Sequence, residues 1–278
     1  MNDTPPDGWL DANLANWEER AALHFDAKEY DLTALREGRG RLYSIEEAEL
    51  PDVSGCRVLH LQCHFGRDSL VFAQRGAHVC GVDFSPTAIA KAKEIAAEIG
   101  LAERADFFEC NLYDAPKVVP GAGEFDLVFV TWGTIGWLPD VQQWAQIIAH
   151  FLKPGGHLYF ADAHPFSLVF DDAAPPMTEG FPGLYAPYMG APLMIDSQAV
   201  DYTGENAALG GVDHWWDHRL SDVIGAVIGA GLHIRWMHEH DAIPWPMFKQ
   251  LVKGDDDMFR WPDKPWLPLS YSILAEKP

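Results

Sequence analysis

Between Arg57 and Ala163, short runs of aliphatic, β-branched and aromatic residues alternate with stretches of helical spacing. Strands joined by helical crossovers run parallel, because each crossover returns the chain to the same end of the sheet. Strands are predicted at Arg57–Leu61, His78–Val82, Ala105–Phe108, Phe125–Val130 and His157–Ala161, and helices at 67–75, 86–99 and 139–152. Lys153-Pro154-Gly155-Gly156 closes the last helix, since proline cannot continue it and glycine favours its C-terminal turn. A doubly wound α/β fold is expected for this segment.

The flanks carry different patterns. Trp9, Leu10, Leu14, Trp17 and Ala21 recur at near-helical spacing, and Ser44 with Glu47 has the form of a capping box. From about 164 to 212, Pro, Gly, Asp and aromatic residues follow no period, which reads as an ordered insertion or lid. A helix is predicted at Leu220–Ala230, followed by the run Leu232–Met237, and the chain ends with a strand candidate at Leu269–Leu274. The expectation is one domain over 1–278. It comprises a helical cap at 1–50, a cofactor-binding core at 57–163, a lid at 164–216 and a C-terminal helix and strands at 217–278.

Charge and composition narrow the function. Acidic residues outnumber basic ones 41 to 20, a formal charge of −21, and such a surface repels a phosphate backbone. Nucleic acid is therefore not the expected partner. No apolar run approaches about 18 residues, so no membrane span is predicted. The start Met1-Asn2-Asp3-Thr4-Pro5 has neither a basic nor an apolar leader segment, and a cytoplasmic protein is expected. Cys56, Cys63, Cys80 and Cys110 lack the paired spacing of a zinc site; they are read as reduced, with no metal expected.

In an open parallel sheet the ligand sits beyond the carboxyl ends of the strands, at the switch point. After the first strand the chain reads Gln62-Cys63-His64-Phe65-Gly66, a tight turn before a helix. Gly66 would let the backbone approach a ligand there. The second strand ends at Asp83, 17 positions beyond Gly66, where a carboxylate can accept both hydrogen bonds of a ribose diol. The alternative is that Asp83 only caps the helix opened by Ser85-Pro86.

The segments Arg57 to Gly66, Gly81 to Pro86, Phe125 to Val130 and Leu152 to Gly156 resemble, in order and spacing, the successive motifs of class I S-adenosylmethionine-dependent methyltransferases. Trp17-Glu18-Glu19-Arg20, Ala163-His164-Pro165 and Leu269 to Leu274 further resemble a bacterial subgroup whose members are mostly of unassigned substrate. The resemblance implies a mostly parallel, seven-stranded Rossmann-like sheet, S-adenosylmethionine as cofactor and a small-molecule methyl acceptor. It places Gln62, Cys63, His64 and Gly66 along the methionine part, Asp83 on the ribose, Phe84 and Leu112 around adenine and Asn111 on its amino group. Thr131 and Trp132 would face the sulfonium. Trp17 belongs to the same cofactor set, and Arg20 and Arg39 are candidates for the methionine carboxylate, although either could form an ordinary surface ion pair. The chain departs from the family pattern where His60 replaces an acidic residue and Gln62 and His64 replace two glycines. Those replacements count against NAD more than against S-adenosylmethionine, because a pyrophosphate needs close backbone approach.

If the acceptor needs deprotonation, His164 and His218 are the candidate bases. Trp215, Trp216, Trp236, Trp245, Trp261 and Trp266 either line an acceptor pocket or, for most of them, pack the core around the insertion. The competing functions are another reaction on this fold, such as an NAD-dependent redox step, and cofactor binding without catalysis.

Overall fold

The structure, a computed structural model, describes residues 5–26, 31–189, 193–196 and 211–278. Its centre is a seven-stranded sheet of β1 (Arg57–Leu61), β2 (His78–Asp83), β3 (Ala105–Glu109), β4 (Phe125–Thr131), β5 (Leu152–Ala163), β6 (His233–His240) and β7 (Ser270–Glu276). The spatial order is β6-β7-β5-β4-β1-β2-β3. The pairs among β1 to β5 are parallel, and β7 runs antiparallel to both neighbours, β5 and β6.

Alternation along the strands fills both faces, as a sheet covered on two sides requires. Leu59 and Leu61 of β1 with Val128 and Val130 of β4 point to one core, under the helices α5 (Val141–Phe151) and α6 (Leu220–Gly229). Val58, Leu127 and Phe129 point to the other, under α3 (Arg67–Gln74) and α4 (Pro86–Glu98). Trp144 and Phe151 of α5 and Phe72 of α3 are fully buried there. Each such side chain contributes about 1.5–3 kcal/mol by leaving water.

The helices begin where the sequence signals them. Ser85 caps α4, its hydroxyl accepting from Ala88 N at 3.0 Å, with Pro86 in the first turn. Asp140 caps α5 by accepting from Gln143 N at 2.9 Å. α5 stops at Phe151, and the Lys153–Gly156 turn lies inside β5, where the pairing with β4 shifts register between Phe125 and Leu127.

The N-terminal cap holds α1 (Trp9–Asp26), a short turn of helix at Thr33–Arg36 and α2 (Ser44–Glu49). The expected Ser44 capping box is absent. Tyr43 is the N-cap, Ser44 Oγ donates to Asp256 Oδ2 at 2.8 Å, and Glu47 Oε1 accepts from Leu42 N at 2.9 Å. The insertion contributes two antiparallel ribbons, Phe170–Asp171 with Gly183–Leu184 and Leu193–Asp196 with Asp213–Trp216. Between β6 and β7 a three-stranded sheet, built from Ala242–Ile243, Val252–Lys253 and Phe259–Arg260, has its own core of Ile243, Phe248, Leu251 and Trp261. No described helix is long and apolar enough to cross a membrane.

Glycine is required at Gly81, in the middle of β2. A Cβ there would stand 2.6 Å from the Phe107 ring and 2.9 Å from Cys63 Sγ. Gly81→Ala is expected to destabilise the fold by about 1–3 kcal/mol, the usual cost of overpacking, as a lowered urea midpoint with unchanged slope.

Candidate active site

The loops at the carboxyl edge of β1 to β4 converge, as the switch-point rule demands. After β1 the chain turns through Gln62 at φ 56°, His64 at φ 52° and Gly66 at φ 73°. The two residues that stand in place of glycines thus adopt the left-handed backbone that glycine would take. That conformation costs a side-chain-bearing residue roughly 1–2 kcal/mol and concentrates at functional sites. Neighbouring groups enforce it: Cys63 N donates to Val82 O at 2.9 Å, and Gln62 Nε2 donates to Thr134 O at 2.9 Å. At Gly66 packing also demands glycine: a Cβ there would stand 2.6 Å from the Phe107 ring of β3. Cys63 is buried, and burial holds its thiol well above the ordinary pKa.

Asp83, at the end of β2, clasps this loop. Its Oδ2 accepts from His64 N at 2.8 Å and its Oδ1 from Ser85 N at 3.0 Å. The helix cap is Ser85 itself, so Asp83 is not the capping residue of α4. Burial raises its pKa to about 6 against the opposing pull of the amides of Ser85, His64 and Phe84, and Glu18 nearby adds to the rise. A buried carboxylate held by amides alone has lone pairs to spare and calls for further donors.

Asp83 opens on a cavity whose floor is Gln62, Val82, Phe84, Asn111 and Leu112, with Cys110 beside them. Trp9, Leu10 and Asn13 of α1 form one wall, and Trp137 with Leu138, from the loop after β4, form the other. Phe84 and Leu112, the pair expected around adenine, both line this cavity. Asn111 Oδ1 accepts from Tyr113 N at 3.0 Å, which leaves its amide N–H groups as donors toward the cavity.

The loop after β4 is organised by Asp162 of β5, which sequence reasoning missed. Its Oδ1 accepts from Gly133 N at 2.6 Å and Ala163 N at 2.7 Å, and its Oδ2 from Thr134 N at 3.0 Å and Ile135 N at 3.2 Å. Thr131 is buried at the end of β4. Trp132 keeps its backbone at this edge, with φ 56°, but its indole turns away from the cavity. The indole Nε1 donates to Glu46 Oε1 at 2.5 Å, and the ring meets Tyr43 and Trp245 edge-on.

The remaining candidates separate clearly. Trp17 packs on Trp137 at 5.3 Å and on His64 at 5.6 Å, behind the cavity wall. Arg20 is buried beside them, its guanidinium over both Trp17 and Trp137 and bonded to Asn16 Oδ1 at 2.7 Å. Arg39 is 68% exposed, paired with Glu37, and does not line the cavity. Its surface ion pair is the alternative left open by the sequence.

His164 is buried: Nδ1 accepts from Phe166 N at 3.2 Å, and Nε2 stands 3.2 Å from Glu239 Oε1 without a well-formed hydrogen bond. Its lone pair is thus occupied, which suits a structural residue better than a base. His218 Nε2 donates to Leu138 O at 2.6 Å, which fixes the tautomer and leaves the lone pair on Nδ1. His218 lines a second cavity with Pro165, Leu168, Tyr188 and Asp217, and burial keeps its pKa below the ordinary value. Of the six tryptophans, Trp216 and Trp261 are buried, Trp236 stacks on His238, and Trp266 is 59% exposed.

Residues 58–156 match the methyltransferase domain family. A ubiquinone biosynthesis O-methyltransferase of Marinobacter nauticus is 29% identical over 124 residues, covering 44% of this chain and 51% of that protein. The chain thus spans about half the length of that relative. A 23S rRNA uracil C5-methyltransferase of Azoarcus sp. is 42% identical over 68 residues, 24% of this chain and 16% of that one. Among solved structures, a putative S-adenosylmethionine-dependent methyltransferase from Listeria monocytogenes superposes with TM-score 0.60 at 18% identity, over 84% of this chain and 95% of the other, a likeness of fold.

Glu46 is fully buried, and desolvation, reinforced by Asp68, raises its pKa well above 4.5. A carboxyl with a raised folded pKa stabilises the fold while protonated and loses that contribution as pH rises through the folded value. Glu46→Gln keeps an acceptor for Trp132 and cannot ionise. Its urea midpoint is expected to exceed the wild-type value by a margin that widens as pH rises from 5 to 9, and a constant margin would show that Glu46 is ionised in the fold throughout, its pKa not raised.

Proposed function

We propose that this chain, whose residues 58–156 match the methyltransferase domain family, transfers a methyl group from S-adenosylmethionine to a small-molecule acceptor. The observation that carries this reading is Asp83. Its carboxylate is buried at a cavity beyond the end of β2, and the amides of His64 and Ser85 are each held by a different oxygen. A ribose diol supplies the two donors such a group calls for. A pyrophosphate would instead bring negative charge toward Asp83 and a loop whose His64 and Gln62 carry side chains, which disfavours NAD.

S-adenosylmethionine, when bound, supplies an electrophilic methyl group for in-line attack. The protein's part is placement, and holding a nucleophile about 3 Å from that carbon accounts for a large share of such catalysis. In this reading the turn that runs from Gln62, which lines the cavity, through Cys63 and His64 to Gly66 takes the methionine part, Phe84, Asn111 and Leu112 take adenine, and Thr131 stands nearest the transferred group. Trp17 and Arg20 brace Trp137 from behind, and Arg20 is the candidate nearest the cavity wall for the methionine carboxylate.

His218 is the favoured base in this reading, because the Leu138 carbonyl orients it and its Nδ1 lone pair remains for an acceptor proton. His164 then supports the lid. The charge of −21 supports a small acceptor over RNA, whatever the substrate of the rRNA-modifying relative, and fits work in the cytoplasm.

Calorimetric titration with S-adenosylhomocysteine is expected to show binding, and titration with NAD none. Because the diol binds the ionised carboxylate, affinity should fall as pH drops through about 6, the folded pKa of Asp83, approaching tenfold per pH unit below it. Affinity independent of pH from 5 to 8 would remove Asp83 from the ribose. With an acceptor found by screening, His218→Asn is expected to lower the single-turnover rate by about 10²–10⁴ at unchanged cofactor affinity. A normal rate with an unaltered pH profile would defeat the assignment.

A further inference from the structure

The ribbon strand Asp213–Trp216 is wedged between the two walls of the cofactor cavity. On the side of α1, Asn13 brackets the backbone of His214: Nδ2 donates to His214 O at 2.9 Å and Oδ1 accepts from His214 N at 2.7 Å. A side chain thus makes the pair of bonds that a neighbouring strand would make. Asn13 is 1% exposed and lines the cavity. Trp9 meets Trp216 edge-on at 5.2 Å, and Arg20 reaches Asp213 Oδ2 at 3.5 Å.

The opposite wall holds the ribbon equally closely. Trp215 lies on Gly136, where a Cβ would stand 2.2 Å from the indole, and meets Trp137 at 5.2 Å. Directly after the ribbon, Asp217 and His218 line the second cavity, and His218 is bonded to Leu138, a residue of the first.

We infer that Asn13 is a positioning residue that couples cofactor occupancy to the placement of residues 213–218, and through them of His218, on the acceptor side. This rests on the proposed methyltransferase reading. If α1 and the ribbon part, the Asn13 amide and the His214 peptide lose each other as partners in a buried place, so the two elements dock together. A ligand in the cavity touches Trp9, Leu10 and Asn13, which gives it a differential affinity for the docked state; without one, no population would shift. By linkage, an acceptor that orders the ribbon tightens cofactor binding by the same factor.

The test is hydrogen exchange on the whole chain, read by mass spectrometry, with and without saturating S-adenosylhomocysteine, occupancy being verified by calorimetry. In the wild type, exchange of the amides of 213–218 is expected to slow by about tenfold or more on binding, within the usual range of coupling factors. Residues 213–216 do not line the cavity. In Asn13→Leu at saturation the slowing is expected to vanish while β1 and β4 stay protected, which shows the variant folded. Asn13→Asp, which keeps the acceptor for His214 N, should retain part of it. Equal slowing in wild type and Asn13→Leu, or binding without any slowing in the wild type, overturns the coupling and leaves the methyltransferase reading standing. A wild type that gives no binding heat removes that reading and the coupling with it.

Discussion

Two buried carboxylates hold the carboxyl edge of the sheet in its working shape. Asp83, at the end of β2, reaches sideways to the amide of His64 in the loop after β1. Asp162, on β5, reaches sideways to Gly133, Thr134 and Ile135 in the loop after β4. Each carboxylate belongs to the strand beside the loop it organises, so loop geometry is fixed by strand register rather than by the loop's own sequence. Both are neutralised by amide dipoles, and burial raises both pKa values because those dipoles offset only part of the desolvation. The strained backbone at Gln62 and His64 persists because this clasp over-determines it.

The parts of the fold legible in the sequence were those with a strong period or local punctuation. The predicted strands and helices from Arg57 to Phe151 fall within a residue or two of expectation, because Ser85-Pro86 and Asp140 mark helix starts and each strand carries a short run rich in apolar residues. β5 begins earlier than predicted, since Pro154 and Gly155 read as a full stop yet form a turn within the strand. The small sheet between β6 and β7 went unread, for its two-residue strands carry no period at all. Of the residues lining the cavity, Asp83 was legible from its position at a strand end, and Phe84, Asn111 and Leu112 through the family resemblance. Asp162 was hidden because it lies inside a strand pattern, between two alanines. Asn13 was hidden because its partner is 201 residues away. An acidic residue interrupting a buried strand near its carboxyl end was the available signal for Asp162.

The N-terminal cap is bound to the C-terminal strands by a second polar network. Glu49 of α2 accepts from Tyr159 Oη at 2.8 Å and from Ser272 Oγ at 3.1 Å, and lies 2.7 Å from His238 Nδ1. Three residues earlier on the same helix, Glu46 holds the indole of Trp132. A six-residue helix with little apolar surface is thus fastened by two carboxyl groups to the loop after β4 and to β5, β6 and β7, the half of the sheet opposite β2 and β3. Both flanks of the core are therefore tied to it through side chains rather than through continuous secondary structure.

β7 is the last of the seven strands in the chain and yet occupies an interior place, between β5 and β6. The order of synthesis and the order of pairing therefore conflict. Until residues 270–276 exist, β5 presents a bare row of peptide groups and β6 has nothing to lie against in this sheet, a state open to wrong partners. Closure of the sheet is a late and long-range event that joins residues more than a hundred positions apart, from Ala163 to Ser270, so the slow step of folding is expected at this seam.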